Sequence, residues 1–339
     1  MQERLSAYHR GMNLFISHTT ALRYWLLSDP NAYAGRSWVA RRSVPVAVGS
    51  APKVTGCEAA DICDAYGLKV PFHVSVADVN DKRKSPYFVS HVTGSLPCGS
   101  DYLRISNGLY VASPELALLQ SGTMLADEAL ILAAFELCST YRRGFRDRKT
   151  EYNCSQLTTV EKIGALLQKC RDGSGRSARG CKRLGKVLGY MRDGSASPQE
   201  TRLALLLGLP YRMGGENLGV PMLNYRVDLD KEARRLAGRS YCKGDLCWPK
   251  WNLDLEFESY EFHEGREALI SDSARREALN RMGMTVMTIT YEQVKNREDV
   301  ELLASVVRQH VGMRSRLREN YLEQRLNLYR MLESDDLPE

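Results

Sequence analysis

Residues 244–263 read GDLCWPKWNLDLEFESYEFH, and the way this stretch folds sets the character of the second half of the chain. Trp248-Pro249-Lys250-Trp251-Asn252 has the composition of a turn between two strand candidates. Side chains alternate along a strand, so Leu253, Leu255 and Phe257 share one face and Asp254, Glu256 and Glu258 the other. Pairing of the two strands brings Asp245 alongside that acidic face. Like charges at this spacing repel, and the cost grows with burial. Bulk water relieves it on an ordinary polar face; a hard cation such as magnesium, which takes oxygen ligands, relieves it in a binding site.

The neighbouring segments extend the pattern. Ser197-Pro198-Gln199-Glu200 precedes the apolar run LALLLGLP, a capping box with Glu200 at the third helical position. NYRVDLD then reads as a strand, Asp272 as the cap of a helix over SARREALNRMG stopped by Gly283, and MTVMTITYEQV as a buried strand. Helix, antiparallel hairpin, helix and strand, with carboxylates on the hairpin, form the skeleton of a metal-dependent nuclease core.

The first half reads differently. Ser17 is placed to cap a helix bearing Ala21, Leu22, Trp25 and Leu26, with Pro30 ending it. Between residues 69 and 112 come four strand-like runs, VPFHVSVAD, PYFVSHV, YLRIS and LYVA. Ser113 and Pro114 open a helix that Gly122 can close, and LADEALILAAFELCSTYRRG supplies another. His73 and His91, in two of the strands, read as packing residues without a nucleophile beside them. Ser17, His18 and Thr19 at a helix start either face a phosphate or simply begin a helix with a buried Trp25.

Composition narrows the class. The 339 residues are 43% hydrophobic and 26% charged, as in globular proteins, and no apolar run approaches the roughly 20 residues needed to span a bilayer. No signal-peptide segment opens the chain, so a cytoplasmic location is expected. Nine cysteines without paired spacing read as free thiols, and Cys242 and Cys247 lack partners at zinc-site spacing. The net charge is +6, and the stretch KCRDGSGRSARGCKRLGKVLGYMR concentrates cations, among them Arg176, Arg179, Lys182, Arg183 and Lys186. Such a stripe suits phosphate-backbone contacts or a solvated connection between domains.

The segments SPQETRLALLLGLPYRMGG, GDLCWPKWNLDLEFESYEFH and DSARREALNRMGMTVMTITYEQV resemble the PD-(D/E)xK nuclease superfamily, specifically the proteins related to very-short-patch-repair endonucleases, over residues 197–310. That family's pattern has an acid on the first helix, Asp in a D-L-x-W-P strand, an E-x-D-G strand, a following histidine and a D-x-x-R before the last strand. Glu200, Asp245, Glu256, Glu258, His263, Asp272 and Arg275 fall on those positions. The resemblance implies magnesium or manganese held by Asp245, Glu256 and Glu258 with Glu200 nearby, a proton-transfer role for His263, and DNA held by Arg275, Arg276 and the basic stripe. Two departures stand out: E-x-D-G becomes Glu256-Phe257-Glu258-Ser259, and the usual lysine two residues after Glu256 is replaced by Glu258, leaving His263 or Lys243 to substitute. Asp254 lies outside the pattern and is expected to be solvated.

ISHTTALRYW, PFHVSV and ISNGLYVASPELALLQ are similar to the N-terminal region of AbiEi-type antitoxins, which act as transcriptional regulators. The expected division is a small α+β domain over 1–150, a basic linker or helical segment over 151–196, a restriction-endonuclease-like core with a mixed central sheet flanked by helices over 197–312, and a C-terminal helix over 313–339. The expected function is a magnesium-dependent DNA endonuclease. The alternative is a DNA-binding regulator or antitoxin-like protein with an inactive core and an unidentified toxin or other protein partner. A third reading, a protein-interaction module, draws on the stripe Leu317, Tyr321, Leu322, Leu326 and Tyr329.

Overall fold

A computed structural model describes residues 13–28, 50–93, 102–106, 108–144, 149–172, 178–258, 266–314 and 320–334. The chain divides into two units, one over Met1–Met191 with Ser334–Glu339 and the other over Arg192–Glu333. Each contains a mixed sheet with helices, so the class is mixed α/β. Among the described residues no helix is long and apolar enough to cross a membrane.

In the first unit the apolar strand β1 (Leu14–Ile16) runs into α1 (His18–Leu27), followed by α2 (Gly56–Tyr66). The latter opens on a capping box between Thr55 and Glu58 and closes at Gly67, whose φ of 64° suits a residue without a Cβ. Then come β2 (Phe72–Val76), β3 (Phe88–Val92), β4 (Tyr102–Ser106) and β5 (Leu109–Ala112), where strands were expected. The sheet order is β3-β2-β1-β5-β4, with β1 parallel to β5 and antiparallel to β2. Ser113 caps α3 (Pro114–Ser121) by accepting from the Leu116 N–H, and α4 (Asp127–Leu137) is buried from Leu130 onward.

The segment expected to be a linker is folded into this first unit. Its helices α5 (Val160–Asp172) and α6 (Cys181–Val187) bury Ile163, Leu167, Cys170, Cys181, Leu184 and Val187. Two of the cations assigned to nucleic acid are engaged there: Lys186 pairs with Asp127 at 2.6 Å, while Arg183 donates to the Leu125 carbonyl at 2.7 Å and lies 3.4 Å from Asp127. Arg179 and Lys182 are exposed, and Arg176 lies outside the described residues.

The second unit begins with α7 (Pro198–Gly208), followed by β6 (Met222–Asp228), α8 (Lys231–Ala237), β7 (Tyr241–Trp248) and β8 (Leu253–Glu258). Pro249–Trp251 form the tight turn between β7 and β8, and Asn252 takes a left-handed φ of 50°. The hairpin pairs Leu246 with Leu255, Cys247 with Asp254 and Trp248 with Leu253. After it come α9 (Arg266–Arg281) and β9 (Thr285–Thr290), which pairs parallel to β8, as a crossover helix permits. The order β6-β7-β8-β9 makes β8 an interior strand. Asp272 does not cap α9: the helix starts six residues earlier, because the preceding REALIS is itself helix-competent. It stops at Gly283 as expected, with the Met284 N–H reaching the Leu279 carbonyl at 3.1 Å.

The C-terminal helix is part of the second unit rather than a separate element. Helices α10 (Arg297–His310) and α11 (Tyr321–Glu333) converge on Glu216. Arg325, 1% exposed, pairs with Glu216, 2% exposed; Arg308 takes the second carboxylate oxygen, and Tyr321 donates to the first at 2.8 Å. Tyr321, Leu328, Tyr329 and Leu332 are buried, while Leu322 and Leu326 face outward. Removing one partner of a buried pair leaves the other charge uncompensated. Arg325→Leu is therefore expected to lower the stability of the second unit by about 3 kcal/mol in urea denaturation, whereas the exposed Leu322→Ala changes it by less than about 0.5 kcal/mol.

Candidate functional site

Glu200 is placed by the helix it starts. Ser197 Oγ accepts from the Glu200 N–H at 3.1 Å and donates to Glu200 Oε1 at 3.0 Å, while Oε2 accepts from the Ala196 N–H at 2.9 Å. The expected capping box is thus shifted by one residue on its return bond. Glu200 is 7% exposed, and burial pushes its carboxyl up to about 7; the neighbouring Asp245 adds to the rise, while the Ala196, Ser197 and Asn224 hydrogen bonds oppose it.

Asn224 is a participant that sequence reasoning missed. It sits in β6 with φ 46°, a left-handed conformation that asparagine tolerates better than most residues and that often marks functional positions. Its Nδ2 donates to Glu200 Oε2 at 3.0 Å and to the Gly194 carbonyl at 2.9 Å. The ladder pairs Leu223 with Leu246 and Tyr225 with Gly244, which sets Asn224 opposite Asp245. An asparagine at the start of a strand candidate was its one trace in the sequence.

Asp245 is half-buried, and its Oδ2 accepts from the Phe257 N–H at 2.9 Å. Burial, then the Glu256 charge, push it up to about 6, against the pull of that N–H and of Arg275. Across the hairpin, Asp254 is 0% exposed and Glu256 5% exposed. The expectation that Asp254 is solvated fails because β8 is interior and covered on both faces: Leu253, Asp254, Leu255 and Glu256 are all buried. A Cβ on Gly244 would overlap the Asp254 carboxylate, so the absent side chain makes room for the acid.

Arg275 of α9 is the cation here. It pairs with Glu256 Oε2 at 2.5 Å and donates to the Lys243 carbonyl at 3.1 Å. Asp254 and Glu256 are hydrogen-bonded to each other through a shared proton; apart from that bond, neither oxygen of Asp254 nor Oε1 of Glu256 has a partner among the described residues. Burial, then Asp254, push Glu256 up to about 8, with Arg275 opposing; burial also raises Asp254. Three acids, Asp245, Asp254 and Glu256, thus face one guanidinium, with Glu200 beside Asp245.

Burial and mutual repulsion hold protons on such a cluster near neutral pH. Among the described residues no set of three or more His, Cys, Asp or Glu side chains stands at metal-holding geometry. The side chains of Glu258 and Asp272, and the whole of His263, lie outside the described residues. Lys243 and Arg276 are exposed. In the first unit, His73 and His91 come together with Nδ1 and Nε2 2.7 Å apart, and the His18 ring stacks on His91 at 3.9 Å.

No protein-family model and no solved structure matches the chain. Two curated proteins of Mycobacterium tuberculosis, from strains CDC 1551 / Oshkosh and H37Rv and both described as uncharacterized, are 30% identical to it over 118 residues. The match covers 34% of this chain and 37% of each relative, so the chain spans little more than a third of their length.

Two outcomes follow from the packing. Gly244→Ala is expected to destabilise the second unit by about 1–3 kcal/mol through overlap with Asp254, and Asp254→Ala in the same chain should recover part of that loss in a double-mutant cycle. Glu256, held above its usual 4.5, contributes stability that is full below about 4.5 and lost as pH rises through about 8. Glu256→Gln, which keeps an acceptor for Arg275, is expected to flatten the fall of melting temperature between pH 5 and 9.

Proposed function

We propose that the second unit hydrolyses phosphodiester bonds in DNA with a magnesium or manganese ion held at Asp245 and Glu256. The observation that carries this reading is the buried acidic cluster on an antiparallel hairpin, where Asp254 and Glu256 are hydrogen-bonded to each other and Arg275 pairs with Glu256. Hard oxygen donors at Asp245, Asp254 and Glu256 suit such a cation in kind. The element order, helix, strands, hairpin, crossover helix and parallel strand, is consistent with the restriction-endonuclease-like core that the sequence resembles.

When bound, such a cation lowers the pKa of a coordinated water and offsets charge on a phosphoryl oxygen. The chain supplies the rest. Glu200, fixed by Ala196, Ser197 and Asn224, sits beside Asp245 with a carboxyl near 7, the range in which a group accepts and returns a proton at neutral pH. Arg275 becomes available to a phosphate oxygen once Glu256 is neutralised by another partner. Exposed Lys243 and Arg276 offer backbone contacts. Glu258 and His263 enter this reading through the resemblance alone.

A second reading has its own support. The Arg275–Glu256 pair already neutralises one proposed ligand, and the acids do not stand at metal-holding geometry. A DNA-binding regulator of the antitoxin type, keeping the nuclease core as a scaffold, fits those two facts.

Incubation of the full chain with supercoiled, branched and mismatched DNA, with magnesium or manganese, separates the two. The nuclease reading predicts metal-dependent cleavage that Asp245→Ala and Glu256→Ala each lower by about 100-fold or more. Absence of cleavage, with salt-sensitive DNA binding that both variants retain, supports the regulator.

A further inference from the structure

The first unit holds a side-chain cluster that phosphodiester chemistry in the second leaves unused. His18, His73 and His91 come from the first residue of α1 and from the parallel neighbours β2 and β3. The turn from β1 into α1 is fastened to β2 on both sides: the Ser17 N–H donates to the His73 carbonyl at 2.8 Å, and the His73 N–H to Thr20 Oγ1 at 2.9 Å. This brings His18 over the strands with φ 51°, a left-handed conformation at a residue with a bulky side chain. A strained, buried position of this kind persists only where the surroundings enforce it.

The enforcing contacts are polar. The His18 N–H donates to Gln120 Oε1 at 3.3 Å, and its Nδ1 lies 2.9 Å from Ser17 Oγ. Ser17 therefore serves the ring instead of the helix, and α1 has no side-chain cap. Beneath lies a closed web in which Tyr102 donates to Ser75 at 2.7 Å and Gln120 Nε2 approaches both. Above it His18 stacks on His91, and His91 meets His73 at 2.7 Å, with His73 and His91 only partly buried.

The charged side chains that act on His91 have one sign. Burial, then His73, Lys82 and Arg179, hold His91 at about 4, while burial and the other two imidazoles hold His18 at about 2. A metal ion would be repelled by Lys82 and Arg179, and two imidazoles stacked at 28° do not aim their nitrogens at one centre. An anion reverses the balance: it offsets both cations and accepts from imidazole N–H groups.

We propose that His73 and His91, together with Lys82 and Arg179, bind a phosphate group, with His18 as the buried positioning residue that holds the His91 ring. The ligand class is free phosphate or a phosphate monoester. Calorimetric titration of the full chain with inorganic phosphate, and separately with adenosine monophosphate, at ionic strength matched with sodium chloride, tests this. Saturable binding of either is expected, with the monoester tighter if the natural ligand is organic. Lys82→Ala combined with Arg179→Ala, both exposed positions that leave the core untouched, and His91→Asn should each weaken it at least tenfold. Imidazole NMR should show three of the six histidines shifting on saturation. Three results overturn the proposal: no binding beyond the chloride control, binding that the variants leave unchanged, or stoichiometric zinc binding that moves the same three imidazoles.

Discussion

Burying Asp254 and Glu256 in an interior strand removes two carboxylates from water, and the single guanidinium of Arg275 does not balance them. The rest of the second unit is arranged around that imbalance. Gly244 gives up its side chain so that Asp254 fits. Asp245 replaces a ladder contact with a bond from the Phe257 N–H, and Asn224 adopts a left-handed backbone to reach Glu200. Each is a local departure from regular strand geometry at the point where the acids meet, while the flanking ladder from Tyr225 to Asp228 against Tyr241 to Gly244 is regular. Irregular backbone and buried acids are thus concentrated in one place, which is the basis of the proposed site.

The stabilising work is done elsewhere. On one side of the sheet, Cys242, Cys247, Ala278, Leu279 and Met284 pack with Leu229 and Ala233 into an apolar cluster under α8 and α9. Towards the end of the sequence, Arg308, Tyr321 and Arg325 meet Glu216, and Arg325 also pairs with Glu301, in an ionic knot that joins α10 and α11. The contrast between the two buried ionic groups is informative. The knot brings two guanidiniums to Glu216 and Glu301, whereas the hairpin cluster brings one guanidinium to three acids.

Much of this was legible in the sequence where local chemistry decides it. The turn at Trp248-Pro249-Lys250-Trp251-Asn252, the Ser197–Glu200 cap and the Gly283 stop each depend on residues a few positions apart. Asp254 was misread because alternation tells which residues share a face but not whether anything covers it. The start of α9 was misread because Asp272 has the chemistry of a cap, while the better helix formers before it carry the helix past that point. Asn224, the three histidines and the Glu216 knot were beyond reach for another reason: their meaning lies in partners 18 to 109 positions away. The basic stretch shows the same limit, since Arg183 and Lys186 look solvated until Leu125 and Asp127 are placed beside them.

In the proposed site, carboxyls keep their protons near neutral pH until a cation replaces them. Carbon-detected NMR titration of the aspartate and glutamate carboxyls, with and without saturating magnesium, observes this directly. At least two carboxyls titrating between about pH 6 and 8 without magnesium, and moving into the ordinary carboxylate range with it, is the result the account predicts. Carboxyls that all titrate in the ordinary range, with no response to magnesium, would contradict it.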